Sequence, residues 1–331
     1  MILHIFNPEH DLVLACNSKS YTPSEGIRKM RSGFSYVPVF WAEDGDVILT
    51  DDANVTLSEN KMHGIPDAGV TFAKASEIHK FSFSSIDPWG WDKALKHNLI
   101  RHGVSESLMP SDEALEIIRD MSHRRNVLPM FDAVRSGMED CTCGDARECR
   151  SVDEIGDALS SWGRIVVKAP WSSSGINIIY VENEIGTALA SRCSRLIARQ
   201  GSVMAEPLYD KVRDFAMEFY SDGCGTVDYL GLSVFETLGS AYLNNMIASE
   251  DDKLKVLSEY VSPTLLKEIR SRICSYMSSF CKERYRGPFG VDMMVVSDDG
   301  RYVVDPCVEI NLRRTMGHVA IEKWKRTSGD K

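Results

Sequence analysis

Gly290-Val291-Asp292-Met293-Met294-Val295-Val296, the turn Ser297-Asp298-Asp299-Gly300, and Tyr302-Val303-Val304-Asp305-Pro306-Cys307-Val308-Glu309-Ile310-Asn311 together decide the fold class. Two β-rich runs on either side of an Asp/Gly turn read as neighbouring strands. Side chains two apart share a face of a strand, so Glu309 and Asn311 lie together and Asp292 sits among apolar neighbours. Carboxylates in apolar strands are costly unless they are paired or metal-bound. Two carboxylates and an amide oxygen make an oxygen-rich site for Mg²⁺, or Mn²⁺, with room left for water and phosphate. Structural ion pairs with Arg313 and Arg314, which follow directly, would account for the same carboxylates. Guanidinium forks beside a metal–phosphate site suit the steadying of a transferring phosphoryl group or an acyl phosphate, which makes Arg313 and Arg314 catalytic candidates.

Working outward, Ile165-Val166-Val167-Lys168, the loop Ala169-Pro170-Trp171-Ser172-Ser173-Ser174-Gly175 and the run Asn177-Ile178-Ile179-Tyr180-Val181 read as a hairpin. A lysine ending a buried strand beside a Ser/Gly loop can set an ammonium and several backbone N–H donors around one phosphate chain. An ordinary hairpin whose lysine reaches solvent has the same sequence pattern. No Gly-x-x-x-x-Gly-Lys-Ser/Thr loop is present. Val203-Met204-Ala205-Glu206-Pro207-Leu208-Tyr209, followed by Asp214-Phe215-Ala216-Met217-Glu218, is a strand-to-strand hinge. It can offer backbone groups to an adenine edge and Asp214 to ribose hydroxyls, or it is a plain solvated turn.

The N-terminal run Ile2-Leu3-His4-Ile5-Phe6 reads as a buried strand, and Asn7-Pro8-Glu9-His10-Asp11 as the polar loop after it, where α/β sheets present ligand-binding groups. Asn7, Glu9, His10 and Asp11 are therefore substrate candidates. Strands are expected at Val37–Trp41 and Val47–Thr50, and an apolar segment at Ile86–Trp91 leads into a helix through Ile100. Ser111 caps a helix running to about His123, with Asp112 and Glu113 favourably placed in its first turn. Met138–Arg150 reads as an irregular connection, Ser151–Trp162 as a helix and Pro263–Tyr285 as a long one. Cys141, Cys143 and Cys149 lack a fourth ligand for zinc, and His318 is either a general base or, as is commoner for a histidine in a helix-start turn, a polar surface residue.

Bulk properties set limits. The chain has 331 residues, 43% of them hydrophobic, enough for several lobes with their own cores. With 38 basic against 48 acidic residues the formal charge is -10, and no basic patch offsets it, so no nucleic-acid partner is expected. Glu9, His10 and Asp11 interrupt the N-terminal apolar run before it reaches signal-peptide length. Nowhere are there roughly 18 consecutive apolar residues, so no membrane span is expected. Nine scattered cysteines suit reduced thiols in a cytoplasm. Oligomeric state leaves no mark on the sequence.

The order of these features resembles the ATP-grasp superfamily: Lys168 with Trp171-Ser-Ser-Ser-Gly175, then Glu206 to Asp214, then Asp292, then Glu309-Ile310-Asn311 with the arginines after it. The resemblance spans about residues 100–320 and is most specific at its C-terminal end. It implies an α/β (α+β) ATP-grasp fold: a pre-ATP-grasp α/β lobe at residues 1–95, then an ATP-grasp domain at 96–331. The latter would hold a central lysine-hairpin lobe at about 110–205 and a metal and ATP lobe at 206–331. By that resemblance Lys168 would touch the α- and β-phosphates, and Ser172, Ser173, Ser174 and Gly175 would close over the γ-phosphate. Glu206 and Tyr209 would lie at the adenine and Asp214 at the ribose, while Asp292, Glu309 and Asn311 would hold magnesium.

Two departures stand out. The further basic residue of the family, usually lysine, has only Arg124 or Arg125 to match it. Where many ligases carry an arginine two residues before the first metal aspartate, this chain has Gly290, and the role would pass to Arg313 or Arg314. The implied activity is an ADP-forming ligation of a small-molecule carboxylate to an amine or thiol. A small-molecule kinase and a non-catalytic nucleotide sensor are the alternatives.

Overall fold

The computed structural model describes residues 1–53, 56, 68–172, 177–239 and 241–328. By its internal contacts the chain divides into two compact units: Met1–Arg119 with Lys325–Lys331, and Asp120–Trp324.

The first unit holds β1 (Ile2–Ile5), α1 (His10–Cys16), α2 (Glu25–Phe34), β2 (Val47–Leu49), β3 (Thr71–Ala73), β4 (Ser85–Pro88), α3 (Lys93–Arg101) and most of α4 (Asp112–Met121). The strands form one parallel sheet in the order β3-β2-β1-β4. Parallel sheets are covered on both faces, and this one obeys. Leu3, Ile5 and Val47 pack with Leu95 and Leu99 of α3, while Ile48 turns the other way to Val39 and Ala42. Each such side chain contributes about 1.5–3 kcal/mol on burial. Asp92 caps α3 by accepting from Leu95 N at 2.8 Å, and Ser111 Oγ accepts from Ala114 N at 3.1 Å at the head of α4.

Val37–Trp41, expected as a strand, is a buried 3₁₀ turn over Val37–Phe40 with Pro38 in its first positions. Proline has no N–H for a strand ladder and its φ suits a helical start, so the apolar run coils and is buried on all sides.

The second unit opens with a 3₁₀ turn (Arg124–Asn126) and α5 (Val127–Arg135). Then come β5 (Arg147–Cys149), α6 (Val152–Trp162), β6 (Ile165–Lys168), β7 (Ile179–Val181), α7 (Thr187–Gln200) and β8 (Val203–Pro207). They are followed by β9 (Lys211–Ser221), β10 (Val227–Leu238), β11 (Ala241–Asn245), α8 (Glu250–Ser258), α9 (Pro263–Cys281), β12 (Gly287–Asp298), β13 (Arg301–Asn311) and α10 (Met316–Ser328). A four-stranded antiparallel sheet, β5-β8-β6-β7, carries α6 and α7 over a core of Ile155, Ile165, Val167, Cys193, Leu196 and Val203. The expected hairpin is there, with Val167 opposite Ile179. Part of the connection expected to be irregular extends this sheet, because Arg147–Cys149 pairs with β8 as an edge strand. A five-stranded antiparallel sheet, β11-β10-β9-β12-β13, stacks Phe219 on Phe289 at 5.1 Å. Helix α9 lies against β9 and β10 and buries Leu266, Ile269, Ile273 and Met277 at helical spacing. Among the described residues no helix is long and apolar enough to cross a membrane.

Candidate active site

The metal candidates converge through strand register. β12 and β13 place Asp292 directly opposite Glu309 and Gly290 opposite Asn311. Directly opposed side chains share a face, and like charges so placed destabilise a sheet. Asn311 Nδ2 donates to Asp292 Oδ2 at 3.1 Å. Desolvation, and then the charges of Glu309 and Glu218, push the Asp292 carboxyl up to about 8 against the pull of Arg313 and the Asn311 hydrogen bond. Desolvation and crowded acids disfavour the ionised Asp292 even with Arg313 nearby, a cost that a divalent cation on oxygen ligands would offset. Among the described residues no group of three or more His, Cys, Asp or Glu side chains is arranged to hold a metal. Magnesium commonly takes only one or two carboxylates and completes its shell with water and phosphate, so a site of this kind needs no third acid. Beyond Asp292 the register slips, so that Met294 faces Asp305. Such a bulge accommodates Pro306, which has no N–H to give to the ladder.

Glu218 is the acid that the pattern of residues did not single out. It lies on β9 between Gly290 of β12 and Gly231 of β10, and is 1% exposed. A Cβ built on Gly290 would lie 2.6 Å from Glu218 Oε2 and 2.8 Å from Thr315 Cγ2, and one on Gly317 would strike Glu218 Oε1. The Glu218 carboxyl fills the space that a side chain at 290 would need, which explains why position 290 is glycine here. His318 is buried rather than on the surface, at 2% exposure, because α10 docks its first turn against the sheet. Its Nδ1 accepts from Thr315 N at 3.1 Å and stands 2.9 Å from Glu218 Oε2, and its Nε2 faces Phe219 O at 3.3 Å. Gly290→Ala is expected to destabilise the chain by about 1–3 kcal/mol, as overpacking does. In a urea titration Glu218→Ala in the same chain should recover part of that loss, and a harmless Gly290→Ala would refute the packing account.

Arg124 and Arg125 part company in the 3₁₀ turn. Arg125 points outward and pairs with Asp120. Arg124 is 7% exposed and donates from Nε to Ala169 O at 3.1 Å, and from Nη2 to Ser172 Oγ at 3.2 Å and Glu309 Oε1 at 2.7 Å. It thus joins the start of the loop after Lys168 to a metal candidate. Lys168 and Glu206, on neighbouring strands, are both buried and form an ion pair with each other. Ser172 is buried, while Ser173, Ser174 and Gly175 lie outside the described residues. The following arginines differ as well: Arg313 acts electrostatically on Asp292, whereas on Tyr285 the effect of Arg314 is larger than that of Arg313.

Two candidates for the base and sugar are held by other groups. Tyr209 Oη accepts from Gly144 N at 3.2 Å, and burial raises its hydroxyl above the ordinary tyrosine range. Asp214 is 2.5 Å from Lys211 Nζ and accepts from Thr237 Oγ1 at 2.6 Å. Nearby, Asp305 accepts from Cys307 N at 3.1 Å and is pushed up to about 7 by burial.

In the first unit the loop after β1 is built into the fold. Asn7 Nδ2 donates to Gly90 O at 2.8 Å and Asp92 Oδ2 at 3.2 Å. His10 lies against Gly90, where a Cβ would come within 2.6 Å of its ring, and its Nδ1 is 3.4 Å from Asp92 Oδ2. Glu9 pairs with Arg31 at 2.9 Å, and Asp11 is half-buried in the first turn of α1.

No protein-family model matches the sequence, and no curated protein matches it. Solved structures do. The biotin carboxylase domain of 2-oxoglutarate carboxylase from Hydrogenobacter thermophilus, a dimer in complex with MgADP, ADP and bicarbonate, is similar at a TM-score of 0.58 and 13% identity, over 100% of this chain and 70% of that one. Biotin carboxylase from Campylobacter jejuni, in a β,γ-ATP complex, gives 0.55 and 13% over 99% and 71%. N5-carboxyaminoimidazole ribonucleotide synthetase from Thermus thermophilus gives 0.52 and 11% over 99% and 74%. At these identities the likeness is one of fold.

Proposed function

From the ATP-grasp fold that this chain shares with those enzymes, we propose that it is an ATP- and magnesium-dependent ligase that activates a small-molecule carboxylate for attack by an amine or thiol. The observation that carries this reading is the opposed pair Asp292 and Glu309 with Asn311 beside it, two carboxylates and an amide set in otherwise apolar strands. Magnesium on these three would neutralise charge on the phosphate oxygens. Lys168 supplies the ammonium for the phosphate chain, and Glu206 beside it fixes where that ammonium stands. Arg124 ties the base of the phosphate loop to Glu309, and Arg313 is the guanidinium next to Asp292. These groups position and neutralise, which is most of what phosphoryl transfer asks of a protein.

In the reaction a substrate carboxylate oxygen attacks the γ-phosphorus, the bond from that phosphorus to the bridging oxygen breaks, and ADP leaves. The amine or thiol then attacks the acyl carbon, phosphate departs with the C–O bonding pair, and the nucleophile gives up its proton. All nine cysteines are free thiols, which suits a reducing cytoplasm.

The test is a product assay across carboxylate and nucleophile pairs. The expected result is equimolar ADP and phosphate only when both acceptors are present. AMP and pyrophosphate would eliminate the reading, and a stable phosphorylated product from a single acceptor would replace it with a kinase.

A further inference from the structure

The first unit contains a cavity of about 360 Å³. Ile5 and Leu49, the last residues of β1 and β2, are in its wall, as is Asp92 just after β4, so it opens at the carboxyl edge of the sheet. There the chain runs from β1 outward to β2 and β3 on one side and then crosses to β4 on the other, so the strand order reverses between β1 and β4, the position where open parallel sheets bind ligands. The volume is at the small end for ligand sites, sized for a small metabolite.

Charged side chains of both signs line it, Lys19, Arg31 and Arg101 with Glu9, Asp51 and Asp92. One guanidinium serves two of the carboxylates: Arg31 Nη1 is 2.9 Å from Glu9 Oε1 and Arg31 Nε is 3.1 Å from Asp51 Oδ2. Glu9 is 8% exposed, and among the described residues its Oε2 has no hydrogen-bond partner. A buried carboxylate oxygen without a donor is costly, and the cost disappears when a ligand brings one. Asp92 does not fill this need, since its oxygens already serve Leu95 N and Asn7 Nδ2. Burial raises Glu9 above the ordinary carboxyl range despite Arg31, as expected where positive charge is short. His97 and Arg101 also line the cavity, exposed and four residues apart on α3, hence on one face. Neither side chain has an ion-pair partner among the described residues.

We infer that this cavity binds a small amino-acid-like zwitterion, whose ammonium is received by Glu9 and whose carboxylate is received by Arg101 and His97. A phosphate or a plain carboxylate brings no donor and would leave Glu9 Oε2 unsatisfied. The binding site stands without the ligase reading; only the ligand's place as an acceptor in that reaction rests on it.

Isothermal titration calorimetry of the full chain, without ATP or Mg²⁺, against the twenty standard amino acids tests the site. At least one should bind saturably. Its des-amino acid and its decarboxylated amine should each bind at least about tenfold more weakly, the effect of about one charge-assisted hydrogen bond. Glu9→Gln and Arg101→Ala should each lose about tenfold as well. Arg101 is exposed, so its replacement tests the site even where Glu9→Gln unfolds the unit. Failure of every amino acid to bind overturns the inference, as does a ligand whose des-amino form binds equally well or whose affinity ignores Arg101→Ala. In a separate arm with MgATP, the bound amino acid should stimulate ADP release. Binding without stimulation would leave the site standing and count against its role in ligation.

Discussion

At pH 8, Asp292→Asn is expected to raise the melting temperature of the metal-free protein by a few degrees, while turnover with MgATP falls by about 10³-fold, the loss expected when a metal worth several kcal/mol is no longer held. Opposite signs follow from one cause. The native Asp292 carboxyl is pushed up to about 8 from an ordinary 3.8, chiefly by desolvation and then by Glu309. Between those values the folded chain binds more protons than the unfolded one, so its stability falls as pH rises from about 4 to about 8 and stays lower above that. Asparagine keeps the shape and removes the charge, which should return of the order of 1–3 kcal/mol at pH 8. Thermal melts in a chelator across this pH range, with and without Mg²⁺, measure both halves. Magnesium should stabilise the parent chain and leave the variant unmoved. A variant that keeps the pH slope of the parent, or its magnesium shift, would remove Asp292 from the cation site.

Arg124→Ala is expected to cost about 3–5 kcal/mol, the range for breaking a buried ion pair on one side. The loss has two parts. Glu309 would face Asp292 without its 2.7 Å guanidinium partner, and Ala169 O and Ser172 Oγ would lose a donor inside the protein. With the base of the loop untied from Glu309, the KM for ATP should rise at least about tenfold, the effect of about one lost charged hydrogen bond. Arg124→Lys keeps the charge and loses the fork that reaches several acceptors at once, so it should fall between. Arg125→Ala is the control, since an exposed pair such as Arg125 with Asp120 is worth about 0.2–1 kcal/mol. Urea midpoints and ATP saturation curves on the three variants decide the matter. Equal effects at 124 and 125 would refute the division of labour between them.

The acidic strands were legible because alternation is a strict code. Once β12 and β13 are recognised, Glu309 and Asn311 can only share a face, and a charge amid Val and Met demands an explanation. The lysine hairpin was legible for a similar reason. What sequence spacing could not resolve was direction within adjacent residues: Arg124 and Arg125 are chemically alike, and a tight 3₁₀ turn sends them opposite ways. Glu218 was hidden because its surroundings come from far along the chain, with Gly290 and Gly317 providing room and His318 providing contact. Its one local trace is a carboxylate in the apolar run Phe215-Ala216-Met217-Glu218-Phe219. Val37–Phe40 misled because a segment buried on all sides has no periodicity to read, and Pro38 was the residue that should have weighed most.

The room around Glu218 also limits how this protein can change over time. An arginine at 290 has nowhere to go while the Glu218 carboxyl is in place, and the shortage of space at Gly317 points to the same side chain. A side chain at 290 and a buried acid at 218 therefore exclude one another in this packing. A larger residue at 290 needs room made beforehand at Glu218 and at the Thr315 methyl, so the order of substitutions, and not merely their identity, is written into the packing.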